Sequence, residues 1–374
     1  GYTQPGAQPN QIPAPGANDA QLKIEIVGQA GFASNRLFQI NGPEFELSGV
    51  AIALPSSGYI SGGLRHRIVG NWFGVTASGA VPTYTQPGSV FDLGTFLRTI
   101  VIGGPDPADR NVIAGSGRDL SSPALPGGGS NRIRVNSIVS ERGRILLQGN
   151  LIGLAPDGVT ALPFRDPFIV LTGDDAFQTP DIQVRDNRFV RPERNFSGFH
   201  GGALQFAVSR TMNEVALIQG NVFGLGVDGS VIGVQKDHIE VFLGNGSRVP
   251  RVRIGGYGAG EGNVFAGATR LAANAVSEGS AVILPNGSVS TFVEFIGNTM
   301  LGNSGIGLDY PHPTAGGGVA VGRTQNDVGD TDTGANGLQN HPDITTFNVR
   351  PFEFDLIYRV DSDPADSAYP LRVD

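Results

Sequence analysis

The sequence predicts an all-β solenoid, a single-stranded parallel β-helix of about 8 coils with roughly three short strands per coil. Three observations support this: a recurring Asn-centred phrase, a nearly constant step between its copies, and the scarcity of helical hydrophobic periodicity. The phrase is Asn followed within two positions by a large apolar residue, and its copies begin at Asn71, Asn111, Asn150, Asn187, Asn221, Asn263 and Asn298. The steps between them are 40, 39, 37, 34, 42 and 35 residues, which gives a repeat near 38 residues.

Each repeat contains two apolar stretches that are typical of short strands. One leads into the Asn, as at 145–147 and 292–295, and the other closes the unit, as at 168–171 and 281–284. Equivalent Asn residues are expected at one corner of the helix, where each side-chain amide bonds the one in the next coil. The alternatives are a β-sandwich and a β-propeller, whose blade of similar length needs four strands per repeat.

The chain divides into three predicted regions. Residues 1–20 hold four prolines among Gly, Gln and Ala, which predicts a flexible, extended linker with no packing face. Residues 21–343 are predicted to form the β-helix, whose first coil needs a polar cap. Residues 344–374 predict a separate β module or the beginning of one, because apolar and polar residues alternate at 352–358.

Composition narrows the classes of function. With 39% hydrophobic residues the chain is predicted to fold, and 56 glycines indicate many tight turns. A net charge of -8 with only 16% charged residues argues against nucleic acid as a partner, since phosphate binding needs a clustered basic surface. The absence of Cys excludes disulfides, thiolate metal sites and a Cys nucleophile, and it fits a bacterial extracellular protein. No apolar run is long enough to predict a transmembrane helix or membrane insertion.

Four stretches of the repeat region point to a known family: 149–158, 254–265, 303–309 and 326–342. They resemble the right-handed parallel β-helix (pectate-lyase-like) repeats of large bacterial secreted and surface proteins. The resemblance covers roughly 64–343. It implies a right-handed coil and a location outside the cell or on the bacterial cell surface, and it carries no defined reaction.

A series of ionisable residues precedes the second strands and is the candidate catalytic edge: Asp166, His200, Lys236, Asp237, His238 and Glu278. His200 and His238 are 38 residues apart, one repeat, so neighbouring members are expected about 5 Å apart along one edge. A Lys or His base suits β-elimination in a uronate polymer, whereas paired carboxylates suit glycoside hydrolysis. The alternative is that these residues merely flank strands in turns, and no lyase or hydrolase signature is present.

A second candidate site is acidic. Asp327, Asp330 and Asp332 alternate with Gly and with amide residues, and carboxylate and amide oxygens are the ligands that Ca²⁺ prefers. The segment is therefore predicted to hold a structural Ca²⁺ that locks the last coil. The alternative is a loop of Asx turns that bonds its own backbone.

The leading functional prediction is an extracellular or cell-surface module, a structural stalk or adhesin with a carbohydrate-contacting face. Its expected partner is a polysaccharide or a cell-surface glycan, because a rigid solenoid offers a long surface to an extended polymer. The alternative is a polysaccharide lyase or glycoside hydrolase that acts on an acidic polysaccharide through the catalytic edge. A third interpretation is a trimer similar to a phage tail spike; the sequence does not predict the oligomeric state.

Overall fold

The structure is a computed structural model, and it describes residues 1–28, 36–40, 42–53, 57–60, 65–81, 91–93, 99–114, 133–136, 144–162, 169–173, 181–190, 203–208, 215–243, 251–269, 279–284, 292–309, 312–313, 319–320, 323, 325–331 and 340–365. Regular structure in these residues is β-strand apart from one short 3-10 helix, Pro107–Asp109. None of the helices found there is long and apolar enough to cross a membrane.

Three long parallel sheets form the body of the molecule, and consecutive strands of the chain enter them in rotation. Sheet 1 contains β1 (Ile24–Val27), β4 (Val50–Ala53), β7 (Trp72–Phe73), β10 (Val112–Ile113), β13 (Leu151–Ile152), β16 (Arg188–Phe189), β19 (Val222–Phe223), β23 (Val264–Ala266) and β27 (Thr299–Leu301). Sheet 2 contains β2 (Arg36–Ile40), β5 (Ser57–Ile60), β8 (Phe91–Leu93), β11 (Ile133–Asn136), β14 (Ile169–Gly173), β17 (Leu204–Val208), β21 (Ile239–Leu243), β25 (Val282–Ile283) and β28 (Leu308–Asp309). Sheet 3 contains β3 (Glu44–Ser48), β6 (Arg65–Val69), β9 (Thr99–Gly103), β12 (Arg144–Gln148), β15 (Asp181–Arg185), β18 (Ala216–Gln219), β22 (Arg251–Gly255) and β26 (Phe292–Ile296). This order is that of an all-β parallel solenoid, so the predicted fold class is confirmed.

Three small two-stranded sheets complete the secondary structure. The parallel pair is β20 (Val234–Gln235) with β24 (Ala268–Thr269). The antiparallel pairs are β29 (His312–Pro313) with β30 (Val319–Ala320), and β31 (Asp343–Val349) with β32 (Phe354–Arg359).

The core is built from columns of equivalent side chains, because successive coils pair in register. Phe189, Phe223 and Phe265 are in register in sheet 1 and are fully buried. Their rings are stacked: the centroids of Phe189 and Phe223 are 4.7 Å apart, and those of Phe223 and Phe265 are 4.9 Å apart. Each coil therefore buries its apolar residues against the neighbouring coils, as the repeat predicts.

The corner between sheets 3 and 1 carries the predicted asparagine ladder. At each step, the backbone N–H and the Nδ2 of one Asn both donate to the Oδ1 of the next, as from Asn150 to Asn187 at 3.0 and 2.9 Å. Nδ2 of Asn187 also donates to the carbonyl of Leu147 at 2.9 Å. The ladder links Asn71, Asn111, Asn150, Asn187, Asn221, Asn263 and Asn298. The prediction that these residues lie above one another is confirmed.

The N-terminal segment differs from expectation. Residues 1–20 were expected to have no packing face, and that expectation is wrong. Nδ2 of the buried Asn18 donates to the carbonyl of Arg110 at 3.1 Å, and Nε1 of Trp72 donates to Asn18 Oδ1 at 3.3 Å. Nη1 of Arg110 donates to the carbonyl of Gly16 at 2.8 Å. Such polar bonds help to attach this segment, and a hydropathy pattern does not report them.

Candidate functional site

The described part of the predicted catalytic edge is buried. Lys236, Asp237 and His238 lie directly before β21, and their exposed fractions are 6%, 1% and 0%. The other predicted members lie outside the described residues: Asp166, His200 and Glu278. The structure thus brings three of the six predicted residues together, as sequence neighbours, and removes them from solvent.

Lys236 and Asp237 form hydrogen bonds that connect two neighbouring coils. The backbone N–H of Lys236 donates to the carbonyl of Thr269 at 3.0 Å, and the backbone of Lys236 has a φ of 69°. Asp237 Oδ1 accepts the backbone N–H of Ser280 at 2.7 Å, while His238 N–H donates to the Ser280 carbonyl at 3.1 Å. The Asp237 carboxylate therefore satisfies a buried backbone donor of the next coil.

His238 is a core residue with one polar partner. Its ring centroid lies 5.8 Å from that of Phe223 and 5.6 Å from that of Phe265. Nε2 lies 3.1 Å from Asn303 Oδ1, which also accepts the Ala268 N–H at 2.9 Å, so we assign the imidazole proton to Nε2. Nδ1 has no hydrogen-bond partner within the described part of the chain. Burial lowers the pKa of His238 to about 4, although the bond to Asn303 opposes this shift. The ring is neutral at neutral pH.

The buried His238 should make the protein sensitive to acid. The unfolded chain binds a proton with the ordinary pKa of 6.5, and the folded chain binds it only near about 4. The stability that this site contributes is therefore complete above pH 6.5 and is lost as the pH falls toward 4, by up to roughly 3 kcal/mol. Urea denaturation of wild type and His238→Gln at pH 7 and pH 4.5 measures the effect. We expect a smaller acid loss in the variant; equal losses would contradict the assignment.

Buried polar residues continue from this edge along sheet 2. Glu240 alternates with the core residues Ile239 and Val241, which places it on the outer face of the sheet, yet it is only 2% exposed. Gln205 pairs with Glu240 in register and is 7% exposed. Asp309, which is fully buried, accepts a bond from Ser280 Oγ at 3.3 Å. Sequence reasoning missed Gln205, Glu240 and Asp309 as members of a buried polar band, although their place in otherwise apolar strands is a visible signal.

An open concavity lies elsewhere, at the corner of the asparagine ladder. It is a groove with a volume of about 470 Å³, which we name the corner groove. Its floor includes Gln148, Gly149, Asp186 and Gly220, and residues 13–15 of the N-terminal segment form a side wall. Gly104 and Pro105 line one end, and Gly260 and Gly262 line the other.

The length of the corner connections shapes this groove. A single residue joins sheet 3 to the ladder Asn at Gly149, Asp186 and Gly220, whereas seven residues do so at 104–110 and at 256–262. The longer connections are tied to the floor: Gly104 N–H donates to the Gln148 carbonyl at 2.9 Å, and Gly220 N–H donates to the Glu261 carbonyl at 3.1 Å. Three short corners between two long ones therefore leave a closed-ended trough.

Asp186 is the one ionisable residue among the described residues that line the corner groove. Its φ is 56°, a left-handed conformation that glycine adopts at the equivalent positions Gly149 and Gly220, with φ of 72° and 66°. Its exposed carboxylate accepts a bond from Gln148 Nε2 at 2.9 Å. Sequence reasoning missed Asp186, but a signal existed: Gly precedes the ladder Asn at the other one-residue corners, and Asp replaces it here.

The predicted calcium segment is described in part, since Asp332 lies outside the described residues. Asp327 Oδ2 accepts the backbone N–H and the hydroxyl of Thr331 at 2.9 and 2.7 Å. Asp330 Oδ1 accepts the N–H of Asn340 at 2.7 Å. Within the residues that the structure describes, no group of three or more His, Cys, Asp or Glu side chains is placed to hold a metal ion.

Comparison with known proteins adds no assignment: no family model matches the chain, and no curated protein or solved structure matches it significantly.

Proposed function

We propose that this chain is a rigid module of the right-handed, pectate-lyase-like β-helix type that serves outside the cell or on the cell surface as a stalk or adhesin. In this proposal it contacts a glycan and does not cleave it. The observation that carries the proposal is the burial of Lys236, Asp237 and His238, each at most 6% exposed.

Burial matters because a general acid or base must come within hydrogen-bond reach of the bond that it cleaves. A polysaccharide chain cannot reach side chains that the solenoid encloses. Asp237 bonds the backbone of Ser280, and the neutral ring of His238 lies beside two phenylalanines, so both side chains have structural roles. These contacts argue against lyase or hydrolase activity through Asp237 and His238.

The ladder supports the stalk role. It runs without interruption from Asn71 to Asn298, and most of its amides are buried. Buried, fully bonded amides fix the register of successive coils, since a slip would leave several donors and acceptors without partners. A surface carried on such a rod keeps its shape when it meets a polymer.

Binding and cleavage can be separated in one experiment. The protein is applied to immobilised neutral and acidic polysaccharides, and the soluble fraction is followed for unsaturated uronates and for new reducing ends. We expect retention on at least one polysaccharide without release of products. Product release would favour the lyase or hydrolase alternative, and a lack of retention on every polymer would remove the proposed glycan contact.

We also retain the calcium proposal for Asp327, Asp330 and Asp332. Asp330 has a φ of 64°, so Asp330→Asn is the suitable variant: Asn tolerates this conformation and keeps an oxygen for the N–H of Asn340. We expect calorimetric titration with CaCl₂ to show uptake by wild type and a clear loss of uptake in Asp330→Asn. Absence of heat in wild type would contradict the proposal.

A further inference from the structure

We infer that the corner groove is a binding site for a neutral carbohydrate chain and that Asp186 is the residue that recognises it. The inference rests on the proposed glycan contact, and it adds the place, the residue and the class of sugar. The groove lies on a different corner from the predicted catalytic edge.

The groove has fixed ends. A Cβ on Gly149 would lie 2.6 Å from the Gly104 carbonyl oxygen, and a Cβ on Gly220 would lie 2.8 Å from the Gly260 carbonyl oxygen. Each long corner connection therefore contacts the outermost glycine of the floor at its end of the groove. The floor between them spans three coils, about 10 Å at the usual spacing of strands. The volume of the corner groove, about 470 Å³, falls in the range of small-molecule sites. A short run of sugar units fits such a trough.

Asp186 occupies the middle of this floor in a strained conformation. A non-glycine residue with positive φ persists where its surroundings hold it, and such residues gather at functional sites. Gln148 Nε2 donates a hydrogen bond to Oδ2 of Asp186. The other carboxylate oxygen, Oδ1, lies above Gly220 at the next corner, 2.5 Å from the position that a Cβ on Gly220 would take. Glycine at 220 thus leaves room for the carboxylate, which lies in the groove and is exposed.

The chemistry of the lining indicates the ligand. The exposed carboxylate of Asp186 accepts hydrogen bonds, so the groove suits a ligand rich in hydroxyl donors. Pro13 and Pro15 offer apolar ring faces, against which the C–H face of a pyranose can pack. The one charged side chain among the described lining residues is the carboxylate of Asp186, which disfavours a uronate. The nearby guanidinium of Arg110 is buried and bonded to three backbone carbonyls, so it is not offered to a ligand.

The test compares Asp186→Gly with wild type in calorimetric titrations. The probes are hexasaccharides of β-1,4-glucose, α-1,4-glucose, β-1,4-mannose and β-1,4-N-acetylglucosamine, with α-1,4-galacturonate as the acidic probe. We expect at least one neutral probe to bind wild type and to bind Asp186→Gly roughly 10- to 100-fold more weakly, the usual effect of losing a charged hydrogen-bond partner. The galacturonate probe should bind more weakly than that neutral probe.

Two controls separate binding from folding. Glycine suits the φ of 56° at this position, so the melting temperature of Asp186→Gly should equal or exceed that of wild type. Asp228→Asn removes an exposed carboxylate from the turn after β19, keeps an oxygen for Ser230, and should bind the neutral probe as wild type does.

Equal binding by Asp186→Gly and wild type, preferred binding of galacturonate, or no binding of any neutral probe would overturn the inference. Retention of both proteins on a polysaccharide would then leave the proposed glycan contact standing and remove only the corner groove as its place.

Discussion

Replacement of Asn187 by Ala is expected to lower the free energy of unfolding by about 3–5 kcal/mol, because one side chain serves two neighbouring coils. Asn187 Oδ1 accepts both the N–H and the Nδ2 of Asn150, and its Nδ2 donates to the Leu147 carbonyl at 2.9 Å. Nδ2 of Asn150 keeps its bonds to two backbone carbonyls in the variant. The Asn150 N–H and the Leu147 carbonyl are left buried without the partner that Asn187 provides. Each such group costs about 1–3 kcal/mol. Urea denaturation, with the midpoint and slope compared to wild type, measures the loss.

The matched control is Asn298→Ala at the last step of the same ladder. Asn298 is only partly buried, so water can replace the bonds that it makes with Asn263 and with the Ile254 carbonyl. We expect a loss of about 1 kcal/mol there. Similar losses at Asn187 and Asn298 would show that burial of the ladder contributes little to stability.

The ladder was predictable because it is periodic. Each coil repeats the same demand for a buried amide at the same corner, so the Asn recurs at nearly constant steps and its role can be inferred from one sequence. The core column at Phe189, Phe223 and Phe265 follows for the same reason, since these residues keep a fixed offset of two from the Asn. A structural feature that recurs in every coil therefore recurs at regular steps in the sequence, where it can be recognised.

Features that depend on packing between segments far apart in the sequence could not be predicted from the sequence. Lys236, Asp237 and His238 have the composition of an active site, and only the packing of neighbouring coils shows that they are enclosed. The attachment of the N-terminal segment through Asn18 and Arg110 depends on single polar bonds across about 90 residues of sequence. Such contacts leave no periodic pattern.

Replacement of Phe223 by Ala is expected to destabilise the protein by about 4 kcal/mol, because the ring is fully buried between two others and the coils above and below hold the cavity open. Phe223→Leu, which keeps most of the volume, should lose only about 1 kcal/mol. Urea denaturation at pH 7 compares the two variants with wild type. Equal losses in the two variants would show that the stacked column does not depend on filled volume.

The same substitution tests the cause of the low pKa of His238, whose ring lies 5.8 Å from that of Phe223. Burial is the main cause of the shift to about 4, so a cavity beside the imidazole that admits water should return the pKa toward 6.5. The folded and unfolded states of Phe223→Ala would then bind protons more equally between pH 6.5 and pH 4. We therefore expect its stability, although lower throughout, to fall less on acidification than that of wild type. An unchanged acid loss would mean that the burial of His238, and with it the low pKa, does not depend on the ring of Phe223.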